Sequence, residues 1–225
     1  MNSLFLLVMK PTSRPISFVS IIIVGLLLVA SGCRKEPEYV RPQPLTIEGV
    51  PVDDGQLMIF NDPGVYFTFV LRGTSFHNVA GGGRPITLDV DGERIQMTSV
   101  AVTEFVPSGS ALVSAPEILS RHQAWEVESL ARQSGDEELG LYREHVTLEE
   151  GGRGCLVWTV DTPGRPTHML VTTVIGTRVL VLSGLLERLA PSEMVDLLLA
   201  AMKTLRRHDH PIDVRWIRDS IAARR

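Results

Sequence analysis

Three groups of residues in this 225-residue chain have the types and spacing for chemistry. They are Cys33 behind Ala30-Ser31-Gly32, the cluster His208-Asp209-His210, and the triple glycine Gly81-Gly82-Gly83. Cys33 is the most telling. A thiolate is a strong nucleophile toward alkyl donors. The side chains before it are small enough for a peptidase cleft, and the apolar run 16–33 leads straight into them.

The other two groups weigh less. Two histidines flanking a carboxylate can hold a transition ion, but His208 and His210 point their rings differently at a helix end, and no third ligand pair is near in sequence. Helix C-capping by His208 and His210 is the preferred reading. His77, His122, His145 and His168 stand singly and read as structural. A phosphate cradle needs a strand before the glycines and a helix after them. Here Pro85-Ile-Thr-Leu-Asp-Val follows and reads as strand, so 81–83 is taken as a flexible turn. Ser108-Gly109-Ser110 has the wrong frame for a nucleophile elbow. Glu137-Glu138 and Glu149-Glu150 fall in or beside expected loops, and Glu126 and Glu128 cannot share a helix face. No catalytic residue, cofactor site or metal site is assigned.

Lys10 and Arg14 precede the apolar run and hold its start on the cytoplasmic side. Met1 to Val8 are mostly apolar and stand before those charges, so Met9 reads as the true start. Ala30-Ser31-Gly32-Cys33 resembles the lipobox of bacterial lipoproteins, with Ala30 where leucine is commoner. The resemblance implies that 1–32 is a signal peptide, that the Cys33 sulfur carries a diacylglyceryl thioether and that its new amine is acylated. An uncleaved signal anchor is the alternative, but it leaves the small residues and the cysteine without a reason. Each buried methylene contributes about 0.8 kcal/mol and a single acyl chain binds only marginally, so stable anchoring takes several chains. Such lipoproteins are retained in the inner membrane by aspartate after the cysteine. Arg34 stands there instead, which favours the periplasmic face of an outer membrane.

Composition limits the rest. Of 22 basic residues, Lys10 and Arg14 leave with the signal; 22 − 2 = 20 remain against 26 acidic ones, a net charge near −6. That argues against nucleic-acid partners, whose binding rests on neutralised phosphates. The remaining 193 residues suffice for one domain with a proper core. With Cys33 alkylated, Cys155 has no partner in the chain. Within Cys-Leu-Val-Trp-Thr-Val it reads as a buried small hydrophobe rather than a reactive thiol.

Residues 33–46 are charged and carry Pro37, Pro42 and Pro44, the composition of an extended tether. The domain is expected over 47–211. Residues 47–80 hold short β-like pieces, Gln56–Phe60 and Val65–Leu71, as an added hairpin or sheet edge. A hairpin of 86–90 and 94–105 should close at Asp91-Gly92. Ser114-Ala-Pro-Glu117 has capping-box spacing and opens a helix to about Ser134, with Ile118, Leu119, Trp125 and Leu130 as its stripe. Strands at about 139–148, 155–161, 168–175 and 178–186 are joined by connections too short for crossovers, so they are antiparallel neighbours. Leu156, Trp158 and Val160 alternate as on a half-buried strand. Pro191 opens a last long helix whose Met194, Leu197, Leu198, Ala201 and Leu205 form one stripe, with Arg206 and Arg207 at its end. In 212–225, Val214, Ile217 and Ile221 have helical spacing beside Arg215, Arg218, Arg224 and Arg225. The favoured reading packs this tail on the domain through Trp216 and Ile217; the rival is contact with anionic lipid or an acidic partner.

The order from Ile86 to Leu205 is hairpin, helix, meander and helix, ending in Val179-Leu-Val-Leu-Ser-Gly184 and the Pro191 helix. It resembles the PsbP-like fold of photosystem PsbP subunits, a eukaryotic Ran-binding protein and the bacterial DcrB lipoproteins. The resemblance implies an α+β architecture, an antiparallel sheet covered by helices in a PsbP-like α/β sandwich. It also implies a non-enzymatic role, docking on a larger assembly or assisting envelope proteins. The expected partners are therefore a membrane, through lipid on Cys33, and an envelope protein. Two rivals remain open. A lipid or small-molecule carrier needs an apolar cavity between the last long helix and the sheet, walled by Trp158 or Trp125. An envelope enzyme needs a cleft of convergent titratable groups.

Overall fold

Apolar alternation and tight turns build two sheets from this chain. The computed structural model describes residues 46–62, 64–79, 86–107, 113–134, 139–148, 153–161, 164 and 166–224. Strands β1 (Thr46–Val52), β2 (Gly55–Asp62) and β3 (Val65–Arg72) form a meander. Then come β4 (Phe76–Asn78), β5 (Ile86–Val90) and β6 (Glu93–Ala101), and the helix α1 (Ala115–Ser134). A second meander follows, β7 (Gly140–Thr147), β8 (Gly154–Asp161), β9 (His168–Ile175) and β10 (Arg178–Leu185). The helix α2 (Pro191–Lys203), the short strand β11 (Arg206–His208) and the helix α3 (Val214–Ala222) complete it.

The larger sheet has the order β4-β5-β6-β10-β9-β8-β7 and the smaller β1-β2-β3-β11, with all paired neighbours antiparallel. After β6 the chain must reach the far edge before its meander returns to β10 beside β6. Helix α1 makes that crossing on one face, laying Leu119 against Leu156, Trp158, Val160, Leu170, Val179 and Val181. The opposite face, with Cys155, Val157, Met169, Val171, Leu180 and Leu182, packs against α2 and the inner side of the smaller sheet. The inner strands of the sheet are thus buried on both faces, not half-buried as Leu156, Trp158 and Val160 alone suggest. Continuous apolar strands such as Cys155–Val160 follow from that.

Several expectations shift. Within 47–80, β2 and β3 do pair as a hairpin, joined by β1 in a second sheet rather than in the main one, while β4 forms an edge of the larger sheet. The 94–105 strand ends at Ala101, because Val102–Glu104 turn into a single 3-10 coil, held by Val102 N–H donating to Thr177 O at 3.0 Å. Asp91-Gly92 does close the hairpin, with φ of 54° and 88° as a type I′ turn needs. The Asp91 carboxylate accepts from the Thr74 and Ser75 amides and hydroxyls, and these bonds, the Thr74 hydroxyl's first, hold it below the usual range.

Arg206, Arg207 and His208 do not finish α2. They form β11 beside β3, where His208 Nε2 lies 3.0 Å from Thr68 Oγ1. The C-terminal carbonyls of α2 are capped from elsewhere, by Arg153 Nη1 donating to Met202 O and Leu205 O at 3.2 and 3.0 Å. At the other end, Ala190 N–H donates to Glu193 Oε2 at 2.9 Å.

The stretch after β11 belongs to the same fold. Asn61 clasps Ile212 by two bonds, Nδ2–H to O and Oδ1 from N–H, each 2.8 Å. Arg218 pairs with Glu48 at 2.9 Å, which sets α3 on the outer face of β1. Val50 and Ile59, buried on that outer face, would otherwise meet water. The β1–β2 turn leaves no room at Gly55, where a methyl would collide with the Leu71 carbonyl oxygen. Gly55→Ala is expected to cost about 1–3 kcal/mol in urea melts, since a backbone atom cannot swing aside.

Candidate interaction surfaces

Among the described residues the seven-stranded sheet ends at β7, whose backbone pairs with β8 on one side only. Its residues are exposed almost throughout, and two are large and apolar: Leu141 at 51% and Tyr142 at 58%. Register with β8 sorts the strand. Leu141, Arg143 and His145 lie opposite Val160, Trp158 and Leu156, on the α1 face; Tyr142, Glu144 and Val146 lie opposite Thr159, Val157 and Cys155, on the α2 face. On the latter side an open groove of about 440 Å³ runs between the strand and the start of α2, lined by Tyr142, Glu144, Val146, Met169, Pro191 and Val195. Tyr142 OH donates to Glu144 Oε2 at 3.1 Å, a bond that raises its own phenol. An exposed strand edge beside a groove fits strand addition, with main-chain bonds for affinity and alternate side chains for selection. Arg143 and Glu144 guard the same edge against indiscriminate pairing.

A second surface is the outer side of α3. Asp213 caps this helix, accepting from Trp216 N–H at 3.1 Å. Val214, Ile217 and Ile221 are half-buried toward the sheet, while Arg215 and Trp216 face outward. Ile217 packs as expected, but Trp216 does not: it is 67% exposed.

The buried titratable groups do not converge. Asp62 joins Arg178 (Oδ2 to Nε, 2.6 Å; Oδ1 from Nη2, 2.8 Å) and Ser99 Oγ at 3.1 Å, bolting the smaller sheet to β6 and β10. Glu93 is buried at the far end of β6, where loss of water raises its carboxyl. Six residues of strand separate it from Ser99, about 20 Å. His122 lies beyond the sheet, on the inner side of α1. Its ring meets Phe105 edge-on at 5.3 Å and Trp125 at 6.0 Å, and neither ring nitrogen has a partner among the described residues. Burial pushes its pKa down to about 4.

Trp158 is wholly buried under α1, on the face opposite α2. A carrier cavity between α2 and the sheet therefore cannot have Trp158 as its wall, and Trp125 sits on α1 itself. Cys155 is buried toward α2, and burial raises its thiol above the usual range. Among the described residues no three His, Cys, Asp or Glu side chains come together as metal ligands, which includes His208 and His210. Cys33, the glycines at 81–83, Glu137-Glu138 and Glu149-Glu150 lie outside the described residues. Among those described, no helix is long and apolar enough to cross a membrane. The edge strand and Trp216 were missed as surfaces by sequence reasoning. Only the mixed pattern Leu-Tyr-Arg-Glu-His, with neither face consistently apolar, hinted at the first.

No family model and no curated protein matches the chain. Among solved structures it is similar to the solution structure of cyanobacterial PsbP (CyanoP) from Synechocystis sp. PCC 6803, with a TM-score of 0.44 and 11% identity. That similarity covers 72% of this chain and 98% of the cyanobacterial one. An antiparallel α+β fold, dominated by its sheets and carrying three α-helices among the described residues, is what the two sheets and their covering helices establish.

Proposed function

We propose that this chain is a cell-envelope lipoprotein, anchored by lipid on Cys33, whose folded domain docks other envelope proteins without catalysing a reaction. The observation that carries the docking role is β7, an eight-residue edge strand exposed on both faces, with Tyr142 in water beside the α2 groove and Leu141 in water on the α1 face. Arg143 and Glu144 keep this edge from indiscriminate pairing, and large apolar side chains left in water beside them mark a surface with a use. The partner would contribute an extended segment, adding a strand outside β7 and setting side chains into the groove. The anchor rests on the Ala30-Ser31-Gly32-Cys33 pattern, and Arg34 favours the periplasmic face of an outer membrane.

Two measurements test the two halves. Labelled palmitate should enter the wild-type chain and not Cys33→Ser; equal labelling, or equal mobility and fractionation, ends the anchor. For docking, the full chain should recover a stoichiometric partner from detergent-solubilised envelopes. Leu141→Asp with Tyr142→Asp should lower that recovery about tenfold or more, as loss of two central apolar contacts does. Undiminished recovery by that variant would place the interface elsewhere.

A further inference from the structure

We infer that the outer side of α3, centred on Trp216, docks the domain onto an anionic lipid surface. The inference rests on the proposed membrane anchor, and three features of the fold lead to it. The first is where the chain joins the sheet. Thr46 opens β1 and pairs with Asn61, and the same Asn61 clasps Ile212, the residue that leads into α3. The segment tied to Cys33 and the start of the tail helix therefore meet at one edge of the molecule. Twelve residues lie between Cys33 and Thr46, a reach of at most about 45 Å fully extended. A leash of that length keeps this edge within reach of the bilayer but does not choose which side turns toward it.

The second feature is how α3 uses its residues. Val214, Ile217 and Ile221 are spent on the sheet, and Arg218 is held by Glu48. Trp216 projects the other way, with Asp219 and Ser220 one turn on rather than further apolar groups. A protein-binding hot spot sits inside an apolar patch that excludes water. A solitary indole in polar surroundings instead suits the headgroup layer, where an amphipathic ring keeps its N–H wet.

Charge is the third. The mature chain would carry a net charge near −6, yet Arg215 and Arg224 on the tail are exposed and lack a carboxylate partner among the described residues. Arg206 adds to them. Its register opposite Thr68 places it on the outer face of the smaller sheet, the face that α3 covers. Locally basic and aromatic on an acidic molecule, this side is drawn to anionic headgroups while the rest is repelled.

The test uses the full chain, purified from membranes and reconstituted in vesicles of phosphatidylcholine alone or with phosphatidylglycerol, with brominated acyl chains as quencher. Trp158 is wholly buried and Trp125 half-buried, and both are present in Trp216→Phe, so wild-type emission minus that of Trp216→Phe isolates Trp216. With phosphatidylglycerol the Trp216 component should shift to shorter wavelength and be quenched about twofold or more, and high salt should reverse both effects. Arg215→Glu with Arg224→Glu should abolish the quenching without changing the thermal melt, since neither side chain packs. The inference is overturned if Trp216 stays unquenched in the anionic vesicles, or if the charge-reversed variant is quenched equally. It is overturned as well if quenching is lacking until envelope proteins are added, which would mark an acidic protein as the occupant. Palmitate labelling of the same samples reports the anchor separately. Quenching without label keeps the docking face and removes the lipid on Cys33; label without quenching does the reverse.

Discussion

Arg178→Leu should remove about 3–5 kcal/mol of folding stability, the size of effect seen when one member of a buried ion pair is deleted. The pair with Asp62 is bidentate, and the two side chains are only 18% and 3% exposed. Asp62 would keep a single bond, from Ser99 Oγ, and a carboxylate shut between two sheets cannot recover its lost water. Arg178→Lys should fall between, since an ammonium cannot fork to both oxygens. The double variant Asp62→Leu with Arg178→Leu separates pairing from packing. It should recover most of the loss, because neither charge then needs solvating. Urea melts of the three variants measure this; a single Arg178→Leu within about 0.5 kcal/mol of wild type would mean that the bond between the sheets lies elsewhere.

Acid should weaken the protein through His122. Its pKa is about 4 in the fold and near 6.5 in the unfolded chain. Between those values the unfolded state binds the extra proton, so stability falls as the pH is lowered from about 6.5 to about 4, then levels off. A gap of that width corresponds to about 3 kcal/mol. Glu126, one turn further along α1, works in the opposite sense. Burial raises its carboxyl, so the fold gains relative to the unfolded state as that group takes its proton. A difference curve between wild type and His122→Leu cancels this contribution. The leucine variant should be more stable at neutral pH, because two buried ring nitrogens without partners are replaced by hydrocarbon. It should also lose the slope between pH 4 and 6.5. Parallel curves for the two proteins would show that His122 titrates as it does in water.

The parts of the fold readable in the sequence share one property: local signals agree with their tertiary surroundings. The meander β7 to β10 declared itself because apolar runs alternated with turns too short for a crossover. Pro191 and the stripe through Met194, Leu198 and Ala201 declared α2. What stayed hidden depends on distant partners. Arg206-Arg207-His208 is charged like a helix end and becomes strand only because Tyr66 to Thr68 offer a free edge. Thr46–Val52 contains Gly49 and Pro51 and follows proline-rich chain, so its pairing with β2 was not foreseeable from composition. The cap on α2 comes from Arg153, some fifty positions earlier. Trp216 was expected inside because tryptophan usually is, but the helix had filled its inner face with three smaller side chains. The edge position of β7 is a fact of topology, marked in the strand's own residues only by the mixed pattern Leu-Tyr-Arg-Glu-His.

The clasp between Asn61 and Ile212 also sets an order of events during synthesis. Everything from β1 to α2 is synthesised before residues 206–224, and until these dock Val50, Ile59 and the free edge of β3 have no cover. The incomplete domain therefore carries a sticky flank until that last stretch has docked. A stalled or clipped chain lacking it would keep that flank permanently, a ready target for holdase chaperones and quality-control proteases.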